Sequence, residues 1–234
     1  IVLLAENDTG YKNLLKIASA AQLEGFYYYP RIDKEFLSSH SEGLIATSAC
    51  LKGEIPTKIL KRGAKEAQKV MDFYFDLFDK DHFFLELQRH DMEELEEVNR
   101  ELNELGKRYG ARFIATNDVH YVDQSDAKLQ DILLAIQTGA VLSDPSRMRM
   151  QGDSYYLKSP QEMMRLFQEF PESITNTLEI AERCNVNLEP KGYHLPFFTV
   201  PDGFTPETYL RKLCEEGIIE RYGESAANSE VRKR

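Results

Sequence analysis

Short apolar stretches alternate with helical patterns over the first 138 residues of this chain. Four apolar stretches predict strands, at 1–5, 44–49, 83–88 and 112–117. The intervening segments carry apolar residues at helical spacing, at 10–23, 64–78, 92–109 and 126–137. Strands that alternate with helices form βαβ units, so the pattern predicts an α/β fold with a parallel sheet or barrel. In such folds the functional residues lie at the carboxyl ends of the strands.

Ionisable side chains follow two of these predicted strands. Asp118 and His120 come after the strand at 112–117, and Cys50 comes after the strand at 44–49. A carboxylate and an imidazole two residues apart point to the same side of an extended backbone, so both can reach one metal ion. The alternatives are a surface turn for the Asp-x-His pair and a small buried thiol for Cys50. We expect a metal site at this edge of the sheet.

Two further residues are candidates for contact with a substrate. His90 follows the strand at 83–88 and could bind a metal or a phosphate, although an exposed, solvated histidine is the commoner case there. Arg31 follows three tyrosines, Tyr27, Tyr28 and Tyr29, in a pattern that could stack on the bases of a single strand. For the tyrosines we expect core packing instead.

Two charged pairs have open interpretations. Arg147 and Arg149 suit an internal ion pair as well as a phosphate. Asp79 and Asp81 have the spacing that holds two divalent ions in phosphoryl transfer, but Lys80 lies between them in a polar stretch, which favours two solvated carboxylates.

Composition narrows the function classes. The formal charge of −10 disfavours a clamp on duplex DNA, because phosphate binding relies on clustered Lys and Arg. Three cysteines are too few and too far apart for a disulfide scaffold or a tetracysteine zinc site. No run approaches the roughly 18 apolar residues of a membrane span, so we expect a cytoplasmic protein with no membrane contact. Both ends fall inside regular patterns, which predicts a fragment of a longer protein.

The pattern changes after Gly139. A loop precedes helices predicted from Pro160 to about 168, from Pro171 to Cys184 and from Thr205 to Tyr222. An aromatic, extended connector is expected at 193–198. A domain boundary therefore lies within 155–200.

Longer strings resemble a known family, the alpha subunit of bacterial replicative DNA polymerase III (the C-family polymerases). The resemblance covers nearly the whole chain in order, at residues 43–56, 115–121, 131–139, 147–150, 156–160 and 176–185. It implies a polymerase-and-histidinol-phosphatase (PHP) domain, a distorted seven-stranded (β/α)7 barrel that is only partly present here. The implied limits are 1–155 for the C-terminal part of the PHP domain, 156–200 for its end and connector, and 201–234 for the start of the palm.

The resemblance also implies a site and its cofactors. In metal-competent members of the family nine ligands hold up to three ions at the barrel mouth, and the last three correspond to Cys50, Asp118 and His120. Zinc or manganese is implied at the PHP site, and magnesium for polymerisation. The palm carboxylates that polymerisation needs are not reached, so this chain by itself is not expected to extend a primer.

Three functions remain open at this point. The resemblance implies a DNA-directed DNA polymerase whose PHP domain can act as a 3′-5′ proofreading exonuclease, with DNA and deoxynucleoside triphosphates as substrates. Its implied partners are a sliding clamp, a clamp loader and possibly a proofreading subunit. Alternatively, the PHP domain is a metal-stabilised scaffold that docks a separate proofreading subunit. A stand-alone metallophosphatase is disfavoured, because a solitary barrel has no need of the helices beyond 159.

Overall fold

The computed structural model describes residues 1–189, 192 and 195–223. The chain divides into two compact units, Ile1–Asn187 and Leu188–Arg234. This division falls inside the predicted connector at 156–200, and the limits of the three predicted domains stay predictions. Of the predicted palm segment, residues 224–234 lie outside the described part, as do Tyr193 and His194 of the connector.

Four strands form one sheet in the order β1-β2-β3-β4. They are β1 (Val2–Ala5), β2 (Leu44–Thr47), β3 (Phe83–Gln88) and β4 (Arg112–Thr116). β2, β3 and β4 are parallel, with Thr47 opposite Phe84 and Glu86 opposite Ile114. The α/β class and the four predicted strands are therefore confirmed.

The predicted parallel sheet has one antiparallel edge strand, which corrects the prediction at that edge. β1 runs antiparallel to β2, with Val2 opposite Thr47 and Ala5 opposite Leu44. Strand direction depends on the connection, and an apolar pattern carries no information about it.

Helices fill the connections. Their bounds are α1 Asp8–Leu23, α2 Lys34–Ser39, α3 Glu54–Arg62, α4 Ala64–His82, α5 Glu93–Tyr109, α6 Ala127–Thr138, α7 Pro160–Leu166, α8 Pro171–Arg183 and α9 Pro206–Tyr222. α2 and α3 are not predicted from the sequence. Both are short, and α2 is six residues long, so they offer too few turns for a helical period to stand out.

The two faces of the sheet are buried differently. On one face the helices α3, α4 and α5 cover Ala46, Leu85 and Leu87 and build the main core. On the other face a small cluster of Ile45, Phe84 and Ile114 packs against Ile180 of α8. Strands buried on both faces explain why the sequence shows continuous apolar runs instead of alternation.

α8 is attached to the sheet by charge as well as by packing. The guanidinium of Arg112 on β4 pairs with the carboxylate of Glu179, which raises the pKa of Arg112 and lowers that of Glu179. Arg183 at the end of α8 donates to Glu6 Oε1 at 2.8 Å. These ion pairs join the end of the unit to both edges of the sheet.

The second unit is described through α9. Thr205 forms a capping box at the start of α9, a proline-led helix, as Ser159 does for α7 in the first unit. Tyr209 of α9 stacks with Phe198 and meets Phe204 edge to face. Among the described residues every helix is too short or too polar to cross a lipid bilayer.

Candidate metal centre

Three consecutive parallel strands deliver ionisable residues to one pocket at their carboxyl ends. Cys50 follows β2, His90 follows β3, and Asp118 and His120 follow β4. The pocket has a volume of about 340 Å³. Its other lining residues are apolar, cationic or polar, namely Leu51, Lys52, Gln88, Met92, Leu95, Leu134, Met148, Arg149, Met150, Gln151 and Tyr155. The structure therefore brings the three predicted ligands and His90 to one cavity.

A tight turn presents Cys50. Ala49 has a φ of +61°, a left-handed conformation that is uncommon for a residue with a side chain. Its amide donates to Thr47 Oγ1 at 3.2 Å, and the amide of Gly53 donates to the Cys50 carbonyl at 2.7 Å. A Cβ on Gly53 would lie 2.2 Å from the Ser48 carbonyl oxygen, so the turn closes only around a glycine. The half-buried thiol of Cys50 is held at the pocket wall.

Asp118 and His120 contact each other. His120 Nε2 lies 3.2 Å from Asp118 Oδ1, and both side chains are about two-fifths exposed, with 39% and 41%. The His120 amide donates to the Tyr155 carbonyl at 2.8 Å, and Asn117 Nδ2 donates to the Tyr156 carbonyl at 2.7 Å. The segment around Tyr155 therefore fixes the backbone that carries the Asp-x-His pair.

The structure corrects the expectation that His90 is solvated. Only 8% of His90 is exposed, because the Tyr155 ring stacks on its imidazole with 4.1 Å between centroids. His90 Nδ1 lies 2.9 Å from Ser154 Oγ, whereas Nε2 is buried and has no hydrogen-bond partner among the described residues. Burial lowers the pKa of His90, with a further contribution from Lys158, and Asp118 opposes both. No local pattern around His90 indicates its burial, because the covering residue, Tyr155, lies 65 positions later in the sequence.

A layer of polar side chains lies beneath the pocket. Glu86 on β3 is 9% exposed and accepts hydrogen bonds from Thr47 Oγ1 at 2.6 Å, from Thr116 Oγ1, and from Gln88 Nε2 at 3.1 Å. Its amide donates to Ser48 Oγ at 2.8 Å. This carboxylate ties β2, β3 and β4 together directly below their functional ends.

The two arginines of the 147–149 segment have different roles. Arg147 forms a bidentate ion pair with Asp131, and the Arg147 side chain is 3% exposed. Arg147 therefore forms the internal ion pair that the sequence allowed. Arg149 is exposed and lines the pocket with Lys52. Of the two alternatives, the internal ion pair therefore applies to Arg147, and a phosphate contact stays open for Arg149. Arg149 and Lys52 give the pocket a cationic rim.

Arg31 lies elsewhere. It lines a separate pocket with Phe36 and Ile32, and its guanidinium lies 5.2 Å from the centroid of Tyr27. The expected core packing of the tyrosines is wrong, because Tyr27, Tyr28 and Tyr29 are 64%, 75% and 73% exposed. Tyr28 has a φ of +59° in a turn that points these rings outward.

Asp79 and Asp81 do not form a metal pair. Asp79 lies at a kink near the end of α4, and its Oδ1 accepts from the Asp81 amide at 2.7 Å and from the His82 amide at 3.0 Å. The hydrogen bond to His82 helps to lower the pKa of Asp79, against the effect of burial. The carboxylate caps its own turn, in agreement with the solvated alternative.

The donor chemistry of the pocket fits a metal ion as part of a ligand set. A thiol, a carboxylate and an imidazole are donors that zinc accepts, and the last two also suit manganese. In residues 1–189, 192 and 195–223, no three His, Cys, Asp or Glu side chains converge closely enough to hold an ion. Cys50, Asp118 and His120 therefore suit a metal only together with further ligands.

Comparison with known proteins gives consistent matches. The PHP domain family model matches residues 1–90. DNA polymerase III subunit alpha of Treponema pallidum is 42% identical over 235 residues, which cover all of this chain and 20% of that protein. The subunits of Thermus aquaticus and Borreliella burgdorferi are each 44% identical, over 95% of this chain and 19% of their own lengths. The chain thus spans about a fifth of these relatives. Because the match runs along the entire chain, we conclude that it belongs to the bacterial DNA polymerase III alpha family, in the region that contains the PHP domain.

Proposed function

We propose that this chain is the PHP-bearing part of the catalytic alpha subunit of a bacterial replicative DNA polymerase, and that its pocket is part of a metal-dependent 3′-5′ exonuclease site. The observation that supports this most is the convergence of Cys50, His90, Asp118 and His120 on one pocket. Residues at the ends of three adjacent parallel strands meet there, which is where α/β folds place their chemistry.

Each pocket residue has a distinct task in this proposal. Cys50, Asp118 and His120 would hold zinc or manganese through sulfur, oxygen and nitrogen. A bound divalent ion supplies positive charge that lowers the pKa of water and stabilises the leaving oxygen of a phosphodiester. Lys52 and Arg149 on the rim attract the DNA backbone, and His90 contacts the substrate. For Arg31, contact with substrate stays a prediction, and its place is in the separate pocket beside Tyr27.

The function of the whole protein follows from the same proposal. DNA synthesis from deoxynucleoside triphosphates would use magnesium and the palm carboxylates of a longer chain, with residues 201–234 as the start of the palm. A sliding clamp, a clamp loader and a proofreading subunit are the proposed partners, and the cytoplasm is the proposed location. The support is the identity to polymerase subunits along the chain.

Replacing Asp118 by Asn in the full-length subunit that carries this chain tests the exonuclease. Loss of one ligand should lower 3′-5′ degradation of single-stranded DNA by about 100-fold or more, because even residues behind a ligand cost 10- to 100-fold. Primer extension should stay within about twofold. Asp153→Asn is the matched control, since Asp153 is an exposed aspartate outside the pocket lining. Equal degradation by Asp118→Asn and the parent would contradict the proposal.

A metal-stabilised scaffold that docks a separate proofreading subunit is the second candidate. It is favoured by the 3.2 Å contact between Asp118 and His120, through which the pair can stabilise the fold. In that case the parent shows no nuclease activity, and Asp118→Asn lowers the melting temperature and primer extension together.

A further inference from the structure

We propose that His90 is a phosphate-binding residue of this pocket, whose Nε2 donates a hydrogen bond to a phosphate oxygen of the substrate. The proposal deepens the proposed function, because it concerns the substrate of the same pocket. His90 lies outside the set of three that the family resemblance assigns to metal.

The nitrogen is buried and lacks a partner. His90 is 92% buried, and within the described residues Nε2 has neither a hydrogen-bond partner nor solvent access. A buried polar atom without a partner costs free energy, so proteins rarely keep one that serves no purpose. His90 lines the pocket, so a ligand that displaces the atoms covering Nε2 would satisfy it.

The ring cannot turn to find a partner within the protein. Ser154 Oγ holds Nδ1 at 2.9 Å, and Tyr155 stacks on the ring with an interplanar angle of 12°. When the Ser154 hydroxyl donates to Nδ1, the neutral imidazole carries its proton on Nε2. The contact with Ser154 is compatible with this tautomer, which the proposal requires, and Tyr155 fixes the plane of the ring.

The surroundings favour an anion over a metal at this nitrogen. Lys52 and Arg149 line the same pocket as Asp118, and burial and Lys158 lower the pKa of His90 against the opposing effect of Asp118 and Asp91. A neutral donor in a pocket that two cations also line matches a phosphate diester or monoester, which carries acceptor oxygens.

The test uses the full-length subunit and thymidine 5′-monophosphate as the probe. Binding is followed at the ¹³C-methyl resonance of Met148, which lines the pocket, so that binding at distant sites does not enter. His90→Phe keeps a flat ring on Tyr155 and removes both nitrogens, whereas His90→Gln keeps a neutral donor near the position of Nε2. We expect affinity to fall about 10-fold or more in His90→Phe and to stay within about threefold in His90→Gln.

The matched control is His40→Phe. His40 also stacks on an aromatic ring, Phe36, at 4.3 Å, and lies outside the pocket lining. This variant should bind the probe as the parent does. Metal content is measured for every variant by elemental analysis, with and without added zinc.

The outcomes separate the two proposals. Equal affinity in the parent and His90→Phe, or no probe binding by the parent, overturns the phosphate role. Loss of bound metal in both His90 variants also overturns it, because His90 would then be a metal ligand. A parent that binds the probe but no metal contradicts the metal centre, yet the comparison of His90→Phe with His90→Gln still tests the phosphate contact.

Discussion

Tyr155 contacts His120 twice, through its backbone and through its ring. The Tyr155 carbonyl accepts the His120 amide at 2.8 Å, and the two rings meet edge to face with 5.7 Å between centroids. Since the same ring stacks on His90, one buried tyrosine positions both histidines of the pocket. Burial raises the pKa of the Tyr155 hydroxyl. This hydroxyl donates to the Met92 sulfur at 3.4 Å.

We predict that the ring of Tyr155, and not its hydroxyl, carries this role. Tyr155→Leu should destabilise the protein by about 2 kcal/mol, because it leaves a gap between two rings. It should also weaken metal binding about 10-fold, as expected for a residue behind a ligand. Tyr155→Phe should match the parent in both. Urea unfolding and metal titration measure these effects, and equal metal affinity in the Leu and Phe variants would contradict a positioning role.

Glu86 should be a stability residue. In Glu86→Ala the hydroxyls of Thr47 and Thr116 and the amide of Gln88 lose their shared acceptor in a buried layer. We expect a loss of about 3 kcal/mol in the free energy of unfolding. Glu97→Ala, at an exposed site on α5, should stay within about 0.5 kcal/mol of the parent. A Glu86→Ala protein as stable as that control would show that the layer is not cooperative.

Gly53 should be required for the position of Cys50. Gly53→Ala places a Cβ 2.2 Å from the Ser48 carbonyl and 3.0 Å from the Cys50 carbonyl, so the turn must open. We expect a loss of about 1–3 kcal/mol and weaker metal binding. Gly217→Ala in α9 is the control, because nothing lies within 4 Å of its Cβ and alanine favours a helix. By calorimetry the control should be at least as stable as the parent, and by titration it should bind metal equally well. A Gly53→Ala protein with the same stability and metal affinity as the control would show that the turn can adjust to a Cβ.

Lowering the pH should destabilise the segment that carries Tyr155. The group responsible is the carboxylate of Glu162. Hydrogen bonds from Ser159 and from the Tyr156 hydroxyl lower the pKa of Glu162 from 4.5 to about 2. A carboxylate with a lowered pKa stabilises the fold above its unfolded value of 4.5, and this contribution is lost as the pH falls towards about 2. Glu162→Gln should therefore show a flatter decline of melting temperature over that range. Parallel melting profiles for the parent and Glu162→Gln would refute the linkage.

The sequence predicts the framework well because the framework is local. The runs at 83–88 and 112–117 are continuous and apolar, and β3 and β4 occupy them to within one residue. The same runs place Cys50, Asp118 and His120 at the carboxyl ends of strands, so their common pocket follows from topology. The antiparallel direction of β1 does not follow, because an edge strand has the same composition in either direction.

The remaining features of the site depend on contacts between distant segments. His90 is buried by Tyr155, and Arg147 and Arg149 differ only in which of them reaches Asp131. The tyrosines at 27–29 have the composition of a core, yet a left-handed residue at Tyr28 turns them outward. Such outcomes are set by packing in three dimensions, which periodicity along the chain does not encode.

The most direct test of the metal centre is anomalous diffraction from crystals of the full-length subunit, collected at the zinc and manganese absorption edges after loading with each ion. We predict a peak in the pocket about 2 Å from His120 Nε2 and from an Asp118 oxygen, in the usual range for zinc–nitrogen and zinc–oxygen bonds. The Asp118→Asn crystals should lose or weaken that peak. Loaded crystals with no anomalous peak beside Asp118 and His120 would contradict the account.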